Sequence, residues 1–195
     1  MGCTQTSGEL GDAPGYSGLV RRLSTRLLPS WAVATSPTPD TKLRDLNGNE
    51  YSLAEWVMLF NMTVTVIDPY RHESSWILRT AARIMRHYDE ADVRVGFLAT
   101  CDEAGARQFL GPLADEFLVF VDPDRSFVRE VELERLPAFV HIRQDGEVAA
   151  VAEGWDPEEW NKVVLVLEED LAWRSLPQLP QVGDPRPYSG APALD

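Results

Sequence analysis

The chain has 195 residues, of which 44% are hydrophobic and 25% charged, a balance that suits one globular domain with flanking segments rather than two full domains or a disordered chain. Its longest apolar runs, Leu118 to Val121 and Val163 to Leu167, fall far short of the roughly 20 residues of a membrane-spanning helix, and a net charge of −13 argues against a duplex nucleic-acid surface. Two cysteines, Cys3 and Cys101, and three histidines, His72, His87 and His141, without an HxxxH or HExxH spacing, give neither a disulfide framework nor a metal site, and no cofactor is implied.

Residues 1–17 read as a flexible leader; they lack the charged start and apolar run of a secretory signal, so the expected localisation is cytoplasmic. Residues 18–34 hold a short basic amphipathic helix, with Leu19, Leu23 and Leu27 at i, i+4 and i+8 and Arg21, Arg22 and Arg26 between them. Packing on its own domain is the first reading of that helix; weak peripheral membrane contact through Leu19–Leu28, or a partner's groove, is the second. The domain proper is expected over 35–174. It opens with a hairpin over Thr41–Leu53, turning at Asn47-Gly48. Then strands at Thr63–Ile67, Val93–Leu98 and Phe117–Val121 alternate with helices at Trp76–Tyr88 and Asp102–Leu110, a βαβαβ order that implies parallel pairing. Strands Ala138–Arg143 and Glu147–Glu153 flank the Asp145-Gly146 turn, so the sheet ends antiparallel. Asp156-Pro157-Glu158-Glu159 starts a last helix, with Trp160, Val163, Val164, Leu167 and Leu171 facing inward. Residues 175–195, with five prolines, read as an extended Pro-rich tail that carries no core and contains a P-x-x-P spacing at Pro177 and Pro180.

Four local patterns in this order resemble the thioredoxin-like superfamily, in particular its peroxiredoxin (AhpC/TSA) and TlpA-like branch. Leu43 to Leu53 is similar to the entrance hairpin of that branch, Val95 to Asp102 to its second crossover strand, Val121 to Asp124 to its D-P-D turn, and Leu136-Pro137 to its cis-proline motif. The resemblance covers about residues 35 to 172 and implies an α/β fold with a central mixed sheet, βαβαβ then a β-hairpin and a C-terminal helix, preceded by an N-terminal hairpin.

The resemblance also locates what is missing. Where the family opens its first helix with a Cys-x-x-Cys, this chain has Val66-Ile-Asp-Pro-Tyr70-Arg71-His72-Glu73-Ser74. The two cysteine positions fall on Arg71 and Ser74, or, one residue on, His72 and Ser75. Thiol exchange needs an attacking thiolate and a resolving thiol, and peroxide reduction needs one thiolate here, so this position carries no redox chemistry. The candidate ligand-binding residues are Tyr70, Arg71, His72 and Ser74 with Leu136 and Pro137, where family members hold a substrate strand by backbone bonds. A helix N-terminus with Arg71 and His72 favours an anion, partly offset by Glu73; the plainer alternative is that Tyr70 packs and Ser74 caps the helix. Cys101, placed to cap the following helix on the same sheet edge, is the one candidate redox residue, although Asp102 and Glu103 disfavour its thiolate. The tryptophans read as core or rim anchors, and His87 and His141 as surface and strand residues.

Three functions are therefore open: a non-catalytic module binding a protein, peptide or small anionic ligand at the degenerate dithiol site; a residual thiol- or peroxide-handling oxidoreductase using Cys101; and a subunit of a larger assembly held through the N-terminal helix and Pro-rich tail.

Overall fold

Strand residues covered on both faces are apolar throughout, and three runs of this chain have that character. The computed structural model describes residues 1–2, 35–173 and 175–194; nearly all of the leader, and the basic helix expected over 18–34, lie outside the described residues. The expected hairpin forms from β1 (Lys42–Asp45) and β2 (Glu50–Ser52), with the Asp45 carboxylate accepting from the Asn47 and Asn49 N–H groups to close the turn. Helix α1 (Leu53–Val57) follows at once from a Ser52/Glu55 capping box. The chain continues through β3 (Asn61–Ile67), α2 (His72–His87), β4 (Val93–Ala99), α3 (Glu103–Leu110), α4 (Leu113–Glu116), β5 (Leu118–Val121) and α5 (Ser126–Glu130). It ends with β6 (Arg135–Leu136), β7 (Ala138–Ile142), β8 (Val148–Glu153), α6 (Pro157–Leu171) and β9 (Ala191–Pro192).

Seven strands form one mixed sheet in the order β2-β1-β5-β4-β3-β7-β8. The parallel steps β3 to β4 to β5 move in one direction, so right-handed crossovers place α2 and α3 on the same face. There Ile67, Phe97, Ala99 and Val119 of the sheet pack with Ala81 and Met85 of α2 and Ala106 and Leu110 of α3. Helix α6 joins them, with Trp160, Val163 and Leu167 packed with Phe139, Ile77 and Ile84. The return from β5 to β7 crosses the opposite face, where Phe127 and Val128 of α5 and Leu53 and Val57 of α1 cover Met62, Val64, Val66 and Phe120. The expected start of α6 is present: the Asp156 carboxylate accepts from the Glu158 and Glu159 N–H groups, with Pro157 at N1.

The segment after α6 departs from expectation. Residues 175–194 have little regular structure, yet they fold back onto the domain and contribute to its core. Leu179 and Ala191 are buried and Ala193 is fully so. Asn161 exchanges side-chain bonds with the Leu179 backbone, and Asp184 accepts from Thr80 Oγ1 and from Arg83 on α2. Trp155 and Tyr188 exchange backbone hydrogen bonds at 2.8 and 2.9 Å. Proline removes N–H donors but leaves carbonyl acceptors, so a Pro-rich composition does not prevent docking; Trp155 Nε1, for example, donates to the Pro185 carbonyl. Within the P-x-x-P stretch Leu179 is buried, while Pro177 and Pro180 are exposed.

His141, expected on a strand, is fully buried on β7 and has partners on both ring nitrogens, Thr63 Oγ1 at 2.8 Å and Asp170 Oδ2 at 3.2 Å. Arg143 adds two further bonds to the same carboxylate, tying α6 to β7. Burial alone raises the Asp170 pKa, but the bonds from His141 and Arg143 and the Arg143 charge outweigh it and hold the carboxyl at about 2. A depressed folded pKa contributes stability above the ordinary carboxylate range, and that stability is lost as pH falls through the folded value. Such a shift corresponds to about 2.5 kcal/mol, which solvent screening at this rim reduces to roughly 1–2 kcal/mol. In urea unfolding, Asp170→Asn should therefore be less stable than the parent protein by about that amount at pH 7, with the gap closing between pH 4 and pH 2; a gap independent of pH would refute the assignment.

Candidate functional site

Because β3, β4 and β5 are parallel, their carboxyl ends open on a single edge of the sheet. Thr100 N–H donates to the Ile67 carbonyl and Asp122 N–H to that of Ala99, so Asp68, Thr100-Cys101 and Asp122 stand side by side there. Asp122 is buried and accepts from Ser126, Phe127 and Val128, which starts α5.

Asp68 organises the first of these connections. Its N–H donates to Ser74 Oγ at 2.8 Å, its Oδ1 accepts from Tyr70 N–H at 2.9 Å, and its carbonyl accepts from Arg71 N–H at 3.1 Å. Its other carboxylate oxygen takes Arg125 Nη2 at 2.8 Å, pairing a nearly fully buried acid with a base that is 18% exposed. Ser74 is fully buried and its oxygen is committed to Asp68, so it locks the β3–α2 loop and does not cap the helix as expected; Arg71, at the N-cap, makes no side-chain cap bond either. Tyr70 does not pack: it is 75% exposed. His72 is exposed and Arg71 half-buried. One turn further on, Trp76 is also exposed and meets Tyr188 edge to face at 5.2 Å. Trp155 and Trp160 are core residues, Trp56 lies at the margin of the core, and Trp173 is half-buried.

The Leu136-Pro137 peptide is cis. Both side chains are buried, and the Pro137 carbonyl accepts from Gly154 N–H at 2.7 Å. Neither residue offers a side chain to a ligand, and the outer edge of β6 is already paired, antiparallel, with β9. The structure thus brings Tyr70, Arg71, His72 and Ser74 to one loop, but only the first three reach the surface.

Cys101 is 3% exposed and its thiol donates to the Asp102 carbonyl at 3.3 Å. Asp102, not Cys101, is the N-cap of α3, with its carboxylate accepting from Gly105 N–H. Burial first, then the charges of Asp102, Asp68 and Glu103, push the thiol up to about 12. Among the described residues, no group of three or more His, Cys, Asp or Glu is placed to hold a metal ion, and no helix is long and apolar enough to cross a membrane. Asp68, Arg125 and Tyr188 were not indicated by the sequence. Asp68 and Arg125 are 57 positions apart, and no local pattern links them.

No family model matches the sequence, and neither does any curated protein. The fold, however, is similar to several solved structures. DsbF of M. tuberculosis, solved in mixed oxidised and reduced forms, is 14% identical with a TM-score of 0.55, covering 67% of this chain and 95% of its own. Peroxiredoxin Q of Xanthomonas campestris is 12% identical with a TM-score of 0.58, covering 71% and 97%. A secreted M. tuberculosis disulfide oxidoreductase homologous to E. coli DsbE is 16% identical with a TM-score of 0.51, covering 63% and 92%. The fold is thioredoxin-like. These neighbours are matched almost end to end, so about a third of the present chain lies outside the shared thioredoxin-like body. Within that body the sequence has no Cys-x-x-Cys.

Two measurements probe this edge. Ser74→Ala leaves the buried Asp68 N–H without an acceptor and should lower the urea midpoint by the equivalent of about 1–3 kcal/mol at unchanged slope. Cys101 in the native protein should resist iodoacetamide at pH 8 and react readily once unfolded; rapid native alkylation would contradict the raised thiol.

Proposed function

We propose that the chain is a redox-inactive thioredoxin-like module that binds a protein or peptide partner at the surface around Tyr70, Arg71 and His72, beside the Leu136-Pro137 edge. The observation that carries this reading is the chemistry of the dithiol position. Ser74 supplies a buried hydroxyl already engaged with Asp68, and Cys101, the free cysteine among the described residues, is covered and its ionisation is disfavoured. What supports binding is a loop fixed by hydrogen bonds at Asp68 that nevertheless projects an aromatic ring into solvent. A preorganised, exposed aromatic loses little entropy on contact and suits the centre of a protein interface. Glu73 next to His72 weakens the pull on a small free anion, so a polypeptide ligand is favoured over a phosphate or carboxylate alone. A cytoplasmic setting belongs to the same reading, supported by a body that holds one thiol and no cystine framework.

The rival oxidoreductase reading needs a Cys101 thiolate, and a thiol at about 12 ionises at pH 7 to only about one part in 10⁵. The assembly-subunit reading draws less from the C-terminal segment than the sequence implied, because residues 179–193 are largely engaged with the domain itself.

Insulin reduction and peroxide consumption, with thioredoxin reductase supplied, should show no turnover by the protein or by Cys101→Ser. Turnover abolished by Cys101→Ser would overturn the proposal and make Cys101 catalytic.

A further inference from the structure

The C-terminal segment lies along the outer edge of β6, the strand that runs directly into Pro137. Leu136 faces Ala191 and Arg135 faces Pro192 in antiparallel register, and the Ala193 N–H donates to the Glu134 carbonyl at 2.8 Å. This is a separate two-stranded sheet, not an extension of the seven-stranded one. Two guanidinium groups hold carbonyls of the added strand: Arg135 Nη1 reaches Gly190 O at 3.2 Å and Arg125 Nη1 reaches Ala193 O.

The fit selects for small residues. A Cβ at Gly190 would stand 2.6 Å from the Leu136 carbonyl oxygen and 3.1 Å from Gly154 Cα, and φ there is +76°, so only glycine is accommodated. Gly154 complements it: a Cβ there would meet the Ser189 carbonyl carbon and the Tyr188 oxygen at 2.7 Å. Ala191 is 4% exposed and Ala193 fully buried, so the strand turns two small side chains inward, whereas Pro192 is exposed. Affinity from main-chain bonds and selectivity from alternate side-chain pockets is the physics of strand addition to an exposed edge.

We propose that the edge of β6 beside Pro137 is a strand-accepting site selective for an extended Gly-Ala-x-Ala segment, and that the chain's own Gly190–Ala193 is its resident ligand, bound in cis. This deepens, and rests on, the reading of this edge as part of a binding surface. Tethering gives the resident strand an effective concentration in the millimolar range, so an outside segment of the same pattern binds only when the tail leaves. Occupancy is also communicated to the exposed loop, because Arg125 divides its guanidinium between Ala193 and the Asp68 carboxylate that fixes Tyr70.

The test uses the full-length chain carrying Gly190→Val, which displaces the strand by steric clash, and a fluorescein-labelled peptide spanning residues 186–194 as the probe. Gly190→Val should bind the peptide saturably, at least tenfold more tightly than the parent protein, and a peptide carrying the same Gly190→Val change should not bind. Chymotrypsin should cut after Tyr188 faster in the variant. A folded variant with a cleavable tail that fails to bind the peptide, or a parent protein that binds it equally well, overturns the proposal. Should the variant not fold, hydrogen exchange on the parent protein decides: amides of Gly190, Ala191 and Ala193 should open together, well before those of β3, and exchange only with global unfolding overturns a displaceable strand. Turnover in the redox assays would defeat the binding-module reading while leaving the peptide result intact, so the two failures are distinguishable.

Discussion

A buried carboxylate must be paired and hydrogen-bonded or it destabilises the fold that buries it, and Asp68 meets that requirement at the carboxyl edge of the parallel strands. It stands where β3 ends and the chain turns into α2. One oxygen serves the Tyr70 amide and the other Arg125. Removing either partner would leave a charge in the interior, so the loop, the turn after β5 and the C-terminal strand are held as one unit. Arg125 adopts a left-handed backbone conformation, φ +54°, uncommon for a residue with a Cβ; side-chain bonds at both ends of its fork keep it there.

The same edge disfavours a thiolate at Cys101. In a thiol-active site, positive charge or a helix N-terminus stabilises the thiolate. Here the N-termini of α3 and α5 are capped by the carboxylates of Asp102 and Asp122, and Asp102, Asp68 and Glu103 place negative charge around the Cys101 sulfur. At the position the resemblance aligns with the dithiol, the Ser74 hydroxyl accepts from the buried Asp68 N–H and so holds the β3–α2 loop.

The sequence disclosed what depends on local pattern. The β-branched run before Asp68, the alternating strand and helix signals, the Asn47-Gly48 and Asp145-Gly146 turns and the Asp156-Pro157 cap all act over a few residues, and each lies where it was expected. Helices α1, α4 and α5 and the two-residue strands are too short to show a period. The site was legible only as a location. Tyr70, Arg71 and His72 could be placed on a helix-opening loop by resemblance, but the burial of Ser74 and the Asp68–Arg125 pair depend on contacts between segments far apart in the chain. The C-terminal segment was misread because proline content reports on missing donors and says nothing of where the remaining carbonyls and the small residues Ala191 and Ala193 come to rest.

The covering of Cys101 has a consequence for where such a domain can operate. A thiol that is covered, and whose ionisation burial and neighbouring carboxylates disfavour, is a poor partner for glutathione or peroxide. Under the proposed binding-module reading, the described body would keep one shape in a reducing compartment and in an oxidising one. On that reading, a fold whose solved neighbours include thiol oxidoreductases would serve as a scaffold whose packing does not depend on electron supply.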